Sequence, residues 1–336
     1  MTNEHRNKKN MRRDEAKDMM NRLGNDGKPF LFLIDYTCEN CIVWERDTID
    51  PDEVLYSFEG EGNCTELAQF NATAEPLLIR PAFEDKGNYR RRFDIVMRHL
   101  KRGDSYLTNL CASIPVDVSA DLKDIFHKAN AKYKLCLKDS LVCFSPETFV
   151  TIAPDGTIAS RPMKGTISAN TDNALQTLLD DEKEKAEHAT IVDLIRNDLS
   201  MIASDVHVTR YRYAEKLHNG AGLWQTSSLI EGKLPDDFRS HLGDILFALL
   251  PAGSVTGAPK KKTLEIISKA ENFDRGFYTG VMGLWDGNRL NSAVMIRLID
   301  KHNGSLHYKA GGGITAQSHW ESEYSEICNK VYLPIH

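Results

Sequence analysis

The sequence predicts an α+β fold in which large, mostly antiparallel sheets pack against flanking helices. Two observations support this class. Apolar segments at residues 148–152 and 157–160 flank Pro154-Asp155-Gly156, which is typical of a hairpin turn and so indicates antiparallel neighbours. The run from Asp172 to Ala203 is long, charged and amphipathic, as expected for helices that lie on a sheet.

The first half of the chain is predicted to alternate between strands and helices. Residues 1–25 are polar and basic, and we interpret them as a leader that precedes a single domain over residues 26–336. The apolar run at 29–36 indicates a buried strand with a partner at 41–45. The next predicted elements are a helix at 89–101, a strand at 105–114, a helix at 120–132, and strands at 134–138 and 141–144.

The second half is predicted to begin with two helices between residues 172 and 203. No prediction is made for residues 204–233. The later elements are helices at 237–250 and 260–271, strands at 278–285, 289–299 and 305–310, a glycine-rich turn, and a final helix from near residue 320 to 333.

The composition is that of an ordinary globular protein, with 336 residues, 41% hydrophobic and 27% charged. A net charge of −6 argues against a nucleic-acid surface, and no apolar stretch is long enough for a membrane span or a secretory signal. Seven cysteines, an odd number, fit reduced thiols and a cytoplasmic location. Cys38 and Cys41 form a lone C-x-x-C that lacks the second pair of a zinc site.

Lys164 is the most informative single residue, because it lies between Pro162-Met163 and Gly165, away from any charge run. Burial in a closed pocket would lower the pKa of its amine and leave a neutral nucleophile. The alternative is an ordinary loop charge.

Two helical segments carry acidic pairs at a spacing of three. Glu323, Glu326 and Lys330 share one face of the final predicted helix, and Glu184 and Glu187 repeat the spacing on another. Such carboxylates suit Mg²⁺, which takes one or two of them and keeps positions for water and substrate. A salt-bridged exterior face is the alternative.

Other segments are suited to anions or acid–base chemistry. Gly311, Gly312 and Gly313 precede the final helix, where backbone N–H groups could approach an anion, unless they form only a flexible turn. The loop with Thr256 and Gly257 leads into a helix and has the character of an anion site without the spacing of a P-loop. Arg297, in an apolar segment, requires an acidic partner from the protein or a substrate, and Glu147 is a candidate general acid.

Taken in order, these runs resemble the chorismate-utilising enzyme family, over residues 85–333. This family includes anthranilate, aminodeoxychorismate, isochorismate and salicylate synthases. The matching runs are Gly103 to Leu110, Ser145-Pro146-Glu147, Arg161 to Thr166, Ala186 to Asp198, Gly253 to Lys260, Ile296-Arg297, Ala310 to Ile314, and Glu323 to Lys330.

The resemblance implies one domain of two large, mostly antiparallel sheets with flanking helices around a Mg²⁺–chorismate site. It implies that Glu187, Glu323 and Glu326, and with less support Glu184, bind the metal. Glu147 would protonate the departing C4 hydroxyl. The remaining matched positions would bind substrate, namely Thr166, Gln225, Thr256, Gly257, Arg297, Gly311, Gly312, Gly313 and Lys330.

Lys164 selects the aminodeoxychorismate synthase group within this resemblance, because anthranilate synthases typically have alanine there. Thr256 points the same way. In that chemistry Lys164 attacks C2 of chorismate as the C4 hydroxyl leaves, and ammonia then attacks C4 and expels the lysine. The rival interpretations are an anthranilate synthase and an isochorismate or salicylate synthase in which Lys164 activates water. A catalytically silent binding subunit is a further rival, disfavoured by the complete residue set.

Two departures from the family pattern refine these expectations. Gln225 stands where many members have histidine, and an amide carries no proton charge at neutral pH. The region at 26–85 is short and lacks the runs of a tryptophan pocket, so we expect no tryptophan regulation. The resemblance also implies a separate glutamine amidotransferase that supplies ammonia and a separate aminodeoxychorismate lyase that acts downstream, in folate biosynthesis.

Overall fold

The computed structural model describes residues 10–64, 77–217 and 222–335. Eight helices lie within these ranges: α1 Arg13–Asn25, α2 Lys86–Lys101, α3 Leu122–Lys128, α4 Ala174–Asp180, α5 Glu182–Ser200, α6 Leu242–Leu249, α7 Lys260–Ala270 and α8 Trp320–Asn329. Short 3₁₀ turns occur at Arg46–Thr48, Phe238–His241 and Gly253–Val255.

The strands of the described residues form two antiparallel sheets. The first sheet has the order β11-β13-β10-β9-β16-β15-β1-β2, with β12 also paired to β13, and the second has the order β14-β6-β18-β17-β8-β7-β3-β4, with β5 on β6. Their bounds are β1 Phe30–Ile34, β2 Cys41–Glu45, β3 Val54–Phe58, β4 Glu61–Gly62, β5 Ile79–Pro81, β6 Leu107–Val118, β7 Tyr133–Leu137, β8 Leu141–Ser145, β9 Thr148–Ile152, β10 Thr157–Ser160, β11 Met163–Ser168, β12 Ser204–Leu217, β13 Leu223–Lys233, β14 Gly257–Ala258, β15 Val281–Trp285, β16 Leu290–Val294, β17 Leu298–His302 and β18 Ser305–Ile314.

The sheets pack face to face, and helices cover both outer faces. Strand β1 shows why, since Leu31 and Leu33 pack against the second sheet while Phe30 and Phe32 pack under helices α1 and α6. A strand buried on both faces is expected to be apolar throughout, as this one is. Helices α2, α3, α7 and α8 cover the outer face of the second sheet. The predicted α+β class with two large, mostly antiparallel sheets and flanking helices is confirmed.

Helix α1 lies within the segment interpreted as a leader. Its residues Ala16, Met20 and Leu23 are fully buried in the same apolar cluster as β1, and the helix packs against α6. Residues 1–9 lie outside the described part of the chain. The described end of the segment is therefore a packed layer of the fold.

The predicted strand at 289–299 is divided in two, because the chain crosses there from one sheet to the other. Strand β16 belongs to the first sheet and β17 to the second, and Arg297 lies between them with φ +57°. A second crossing, between β8 and β9, contains Glu147. The crossings lie side by side, because the Val294 amide donates to the Glu147 carbonyl at 3.1 Å and the Phe144 amide to the Arg297 carbonyl at 3.0 Å.

Among the described helices, none combines the length and the apolar character required to traverse a bilayer. None of the seven cysteines, all of which lie in the described residues, forms a disulfide. Cys38 and Cys41 are buried, and burial raises the pKa of the Cys38 thiol to about 11 and that of Cys41 to about 12. Thiols held so firmly protonated are poor nucleophiles and poor metal ligands.

Candidate active site

Lys164 lies on β11 at one edge of the first sheet, opposite Thr226 of β13. The pairing shifts by a bulge at Gly165, which has φ +78°. Bulges re-aim the side chains beside them. Here Lys164 Nζ lies 2.6 Å from Oε2 of Glu187 on helix α5, and 26% of the Lys164 side chain is exposed.

The expectation of a lowered pKa at Lys164 is wrong for this state of the molecule. Burial does lower the pKa of the amine, but the carboxylates of Glu187, Glu184 and Glu326 outweigh it, so that the pKa of Lys164 is raised. Lys164 is therefore a charged ammonium held by Glu187. Sequence reasoning named these acids as metal ligands but considered only burial for the pKa of Lys164, and left out the effect of their charges.

Helix α5 begins at an Asp181 cap whose side chain accepts from the Glu184 amide, and this fixes the first turn. One turn on, Glu187 is 7% exposed. A Cβ placed on Gly165 would lie 3.1 Å from Glu184 Oε2. The spacing of three therefore brings both acids to the Lys164 bulge, as predicted for one helical face.

Helix α8 brings its predicted set together beside Gly312. A Cβ on Gly312 would lie 3.6 Å from Glu323 Oε2, 3.6 Å from Glu326 Oε1 and 3.8 Å from Lys330 Nζ. Lys330 donates to Glu326 at 2.7 Å and to the Gly311 carbonyl at 2.8 Å. Gly312 thus opens a space into which these three side chains converge.

The glycine run is a strand rather than the predicted turn. Gly311, Gly312 and Gly313 lie in β18 and pair with residues 109–111 of β6. Sheet pairing overrides the flexibility of glycine because β6 supplies a complete ladder of partners. A Cβ on Gly311 would lie 2.6 Å from Cys111 Sγ, so close packing accounts for that position.

The acids fit a hard divalent cation in kind, and in this state Glu187 and Glu326 are paired with lysines. Glu323 and Glu326 converge on one point, and two carboxylates are a common protein contribution to a Mg²⁺ site. The described part of the chain contains no cluster of three acidic, histidine or cysteine side chains close enough to hold a metal together. Glu187 is instead paired with Lys164, so its joining the site would require that pair to open.

Glu147, in the other crossing, has the properties of a general acid. Its Oε1 accepts from Ser254 Oγ at 2.7 Å. Burial raises the pKa of Glu147, and the Ser254 bond and the charges of Lys330 and Lys164 offset part of that rise. A small cleft, with a cavity volume of about 20 Å³, adjoins this carboxyl, and Ser254 and Asp198 also line it. A buried carboxyl of raised pKa can deliver a proton at neutral pH.

Arg297 has an aromatic partner instead of the expected acid. Its guanidinium lies 4.7 Å from the centroid of the Tyr332 ring, a cation–π contact. Within the described residues no carboxylate forms an ion pair with it. A guanidinium without an acid partner can still receive a carboxylate from a ligand.

Thr256 and Gly257 are placed by packing. Thr256 is fully buried, and its carbonyl accepts from the Asn109 amide at 3.0 Å. Gly257 has φ +128°, and a Cβ there would lie 1.9 Å from the Leu107 carbonyl oxygen. The structure therefore gives both residues a scaffold role, and their predicted contact with substrate stays a prediction.

Gln225 lies on the opposite face of β13 from Ser228, which contacts helix α5. Side chains alternate along a strand, and Gln225 accordingly faces Glu215 and Ser227, at 3.4 and 3.3 Å. Thr166 is paired with Gln225 in the sheet, and its side chain lies outside the described part. The predicted substrate contact of Gln225 is not visible in this arrangement.

Sequence reasoning missed several residues that support the site. His188 Nε2 lies 2.7 Å from Ser228 Oγ, and burial, followed by the Arg212 charge, lowers the pKa of His188 to about 4. Lys260, the first residue of α7, pairs with Asp198 at 2.7 Å and so links α7 to α5. The signal for His188, Asp198 and Lys260 was their place within the matched runs, and Ser228 begins the Ser-x-x-x-Gly motif against which Gln225 was aligned, whereas nothing pointed to Arg212.

With this geometry known, comparison with known proteins decides the family. The profile of the chorismate binding enzymes matches residues 31–335, nearly the whole chain. The chain belongs to the chorismate-binding enzyme family.

Two curated relatives illustrate the range of the family. A Haemophilus influenzae protein named "Uncharacterized PabA-like protein" is 42% identical over 322 residues, covering 95% of this chain and 96% of its own length. The aminodeoxychorismate synthase component 1 of Salmonella typhimurium is 33% identical over 282 residues, which cover 79% of this chain and 61% of that protein. The family is thus shown, while its members differ in reaction.

Solved structures agree on the chorismate-binding fold. Anthranilate synthase component I from Streptococcus pneumoniae is 30% identical, with a TM-score of 0.64 over 76% of this chain and 59% of that one. The menaquinone-specific isochorismate synthase from Escherichia coli has a TM-score of 0.72 over 96% of this chain and 82% of that one, at 16% identity. The latter likeness concerns the fold alone.

Proposed function

We propose that this chorismate-binding enzyme converts chorismate and ammonia to 4-amino-4-deoxychorismate. The observation that carries the proposal is the presence of Lys164 on the bulge beside Glu187, inside a family site that also contains Glu147, Glu323 and Glu326. The resemblance associates a lysine at this position with aminodeoxychorismate formation. Chorismate as substrate follows from the family.

In the first step Lys164 Nζ bonds to C2 of the ring as the bond from C4 to its hydroxyl breaks. Attack requires the neutral amine, so the pair with Glu187 has to open and the Lys164 ammonium has to release a proton to solvent first. The leaving oxygen takes a proton from Glu147 and departs as water. The raised pKa of Glu147 keeps that proton available.

In the second step ammonia bonds to C4 and the bond from C2 to Nζ breaks. The ring double bonds shift, the electron pair returns to Lys164, and the new nitrogen loses a proton. Division of one displacement into two steps is the usual logic of nucleophilic catalysis.

The remaining groups bind and orient the substrate. In this proposal its carboxylates are received by Arg297, which has no acid partner among the described residues, by Lys330, and by the backbone of Gly311 to Gly313. Mg²⁺, held by Glu323 and Glu326 and joined by Glu187 once Lys164 is released, would supply a positive charge for the ring carboxylate. Glu184, near the bulge, is a less direct candidate ligand.

The proposed reaction requires partners. Ammonia would come from a separate glutamine amidotransferase, and a separate aminodeoxychorismate lyase would convert the product to 4-aminobenzoate for folate synthesis. We place the reaction in the cytoplasm, which suits the seven free thiols.

The product assay separates this proposal from its rivals. The protein is incubated with chorismate, Mg²⁺ and ammonium, and the products are separated with and without added lyase. We expect 4-aminobenzoate only when the lyase is present. Anthranilate as the main product would establish anthranilate synthase chemistry, and turnover without ammonium would establish a hydroxylated product with Lys164 acting on water.

Intact-mass analysis tests the covalent step. With chorismate and Mg²⁺ but no ammonia, we expect an adduct on the wild-type protein and none on Lys164→Ala. Lys185→Ala is the matched control, because Lys185 lies on α5 and pairs with the exposed Glu182. The adduct should persist in that control, and its absence from wild type in repeated trials would assign Lys164 the role of a base.

A further inference from the structure

Strand β12 contains a bulge at an arginine. Its pairing with β13 shifts between Arg210 and Tyr213, and Arg212 has φ +43°. A positive φ is uncommon outside glycine and is retained where surrounding contacts enforce it. The contacts of Arg212 identify what enforces it here.

The Arg212 guanidinium binds the end of helix α4. Nη1 donates to the Leu179 carbonyl at 2.6 Å and Nη2 to the Leu178 carbonyl at 2.8 Å. Carbonyls in the last turn of a helix lack partners within the helix, and a positive charge there is favourable. Helix α4 has only seven residues, too few to be stable without tertiary contacts. Arg212 therefore fixes the position of α4.

Helix α4 covers the segment that carries Lys164. Leu178 is 4% exposed, and a Cβ on Gly165 would lie 3.1 Å from Leu178 Cδ1. A Cβ at Gly165 would require the side chains of Leu178 and Glu184 to shift by a few tenths of an ångström. Leu178, whose carbonyl Arg212 holds, thus closes over the residue next to Lys164.

The backbone of Arg212 is also linked to helix α5, through Ser228 and His188. Its amide donates to Ser228 Oγ at 2.8 Å, and that oxygen lies 2.7 Å from His188 Nε2. His188 directly follows Glu187, the partner of Lys164. One residue thus links α4, β13 and α5 around the bulge.

We propose that Arg212 is a positioning residue that holds helix α4 closed over Lys164 and so excludes bulk water from the covalent intermediate. The catalytic half of this inference rests on the proposed function. If water reaches the intermediate, its oxygen bonds to C4, the bond from C2 to Nζ breaks with its electron pair returning to Lys164, and a proton leaves. The product of that side reaction is chorismate again, with its C4 hydroxyl drawn from solvent.

The first test measures hydrogen exchange of the α4 amides in the protein without substrate. We expect Arg212→Met to increase exchange at residues 177–180 at least about tenfold, since local opening controls exchange there. Arg210→Met is the matched control, because Arg210 stacks on Tyr213 at 3.9 Å on the exposed face. Unchanged protection of α4 in Arg212→Met would overturn the inference.

The second test follows ¹⁸O from labelled water into recovered chorismate, with Mg²⁺ and ammonium present. We expect the ratio of ¹⁸O incorporation to amination to rise at least about fivefold in Arg212→Met, because exclusion of water suppresses hydrolysis of reactive intermediates. Arg212→Lys, with its charge retained, should restore part of both effects and guards against a variant that fails to fold. Faster α4 exchange with an unchanged ratio would overturn the catalytic half.

The two proposals fail in different ways. If the wild-type protein forms no 4-amino-4-deoxychorismate, the proposed function is wrong, and hydrogen exchange still decides whether Arg212 holds α4. If the wild type forms that product and Arg212→Met matches Arg210→Met in both measurements, only the inference about Arg212 is wrong.

Discussion

Lys164 Nζ and Glu187 Oε2 lie 2.6 Å apart, so the candidate nucleophile and a candidate metal ligand neutralise each other. Lys330 and Glu326 form a similar pair at 2.7 Å on the other side of the site. Each lysine is therefore paired with a carboxylate that would bind Mg²⁺ in the proposed reaction. Substrate and metal binding must rearrange these pairs rather than fill a preformed cage.

Deprotonation of Glu147 is expected to cause the fall in reaction rate at high pH, the alkaline limb of the pH–rate profile. Burial raises the pKa of this carboxyl, and the acid acts in its protonated form, so the rate should fall as pH rises through that raised pKa. Glu147→Gln should lower kcat by roughly 10²- to 10⁴-fold. The measurement is kcat/KM for chorismate across pH.

Ser254 provides the sharper version of that experiment. Its hydrogen bond lowers the pKa of Glu147, so Ser254→Ala should move the alkaline limb to higher pH. Lys330 and Lys164 also face Glu147 and remain in the variant. Ser200→Ala, which removes an exposed helical hydroxyl, is the control. A limb at the same pH in all three proteins would exclude Glu147 as the titrating acid.

Substitution of the acids of helix α8 is expected to weaken Mg²⁺ binding. Glu323→Gln and Glu326→Gln should weaken Mg²⁺ binding by at least the roughly 10- to 100-fold that loss of an outer-shell partner costs. Glu321→Gln, on the exposed side of the same helix, should leave it unchanged. Calorimetric titration with Mg²⁺ measures this without turnover. Equal affinities in the three variants would place the metal elsewhere.

Substitution by alanine is expected to have different consequences at Gly311 and at Gly312. Gly311→Ala brings a Cβ to 2.6 Å from Cys111 Sγ, and such overpacking should lower the free energy of unfolding by about 1–3 kcal/mol. In Gly312→Ala the nearest contacts are 3.6 Å or more, so stability should change by less than about 1 kcal/mol. Its methyl enters the space between Glu323, Glu326 and Lys330.

Urea denaturation and steady-state kinetics together measure this pair of effects. We expect Gly311→Ala to be destabilised and Gly312→Ala to keep its stability while KM for chorismate rises. A stable Gly312→Ala protein with wild-type KM would show that substrate does not occupy this space.

The pair of Arg275 and Glu271 predicts a large effect on stability. The two side chains lie 2.6 Å apart and are 2% and 3% exposed. Arg275→Ala leaves a buried carboxylate unpaired, and the free energy of unfolding should fall by about 3–5 kcal/mol. Arg196→Ala, which breaks the exposed pair with Asp193, should cost less than about 1 kcal/mol. Chemical denaturation of both variants compares them, and similar losses would contradict this account.

The sequence was informative about the fold where burial imposes a regular pattern. Strand β1 was predicted close to its observed bounds from its continuous apolar run, and helices α4 and α5 occupy the amphipathic stretch predicted to contain two helices. The hairpin of β12 and β13 was not predicted, because bulges in β12 interrupt its alternation. Gly311 to Gly313 were read as a turn, since glycine has no side chain to show strand periodicity.

The candidate site was predictable in its membership and less so in its electrostatics. Spacing placed Glu323, Glu326 and Lys330 on one face, and the structure shows them together. The charge state of Lys164 depends on carboxylates from α5 and α8, which approach it only through the tertiary fold. The partner of Arg297 was likewise outside the reach of local pattern, because Tyr332 follows it by 35 positions.

The anchoring of Tyr332 bears on how this protein is handled in the laboratory. The Tyr332 carbonyl accepts from the Tyr308 hydroxyl at 3.2 Å, and the nearby Pro334 carbonyl accepts from the Asn130 amide at 2.6 Å. The segment that contains Tyr332 is therefore hydrogen-bonded to the second sheet and to the residues just after α3. A deletion from residue 331 onward, or an affinity tag fused directly to residue 335, would disturb Arg297, the arginine that we propose binds substrate, although both changes lie after the last helix.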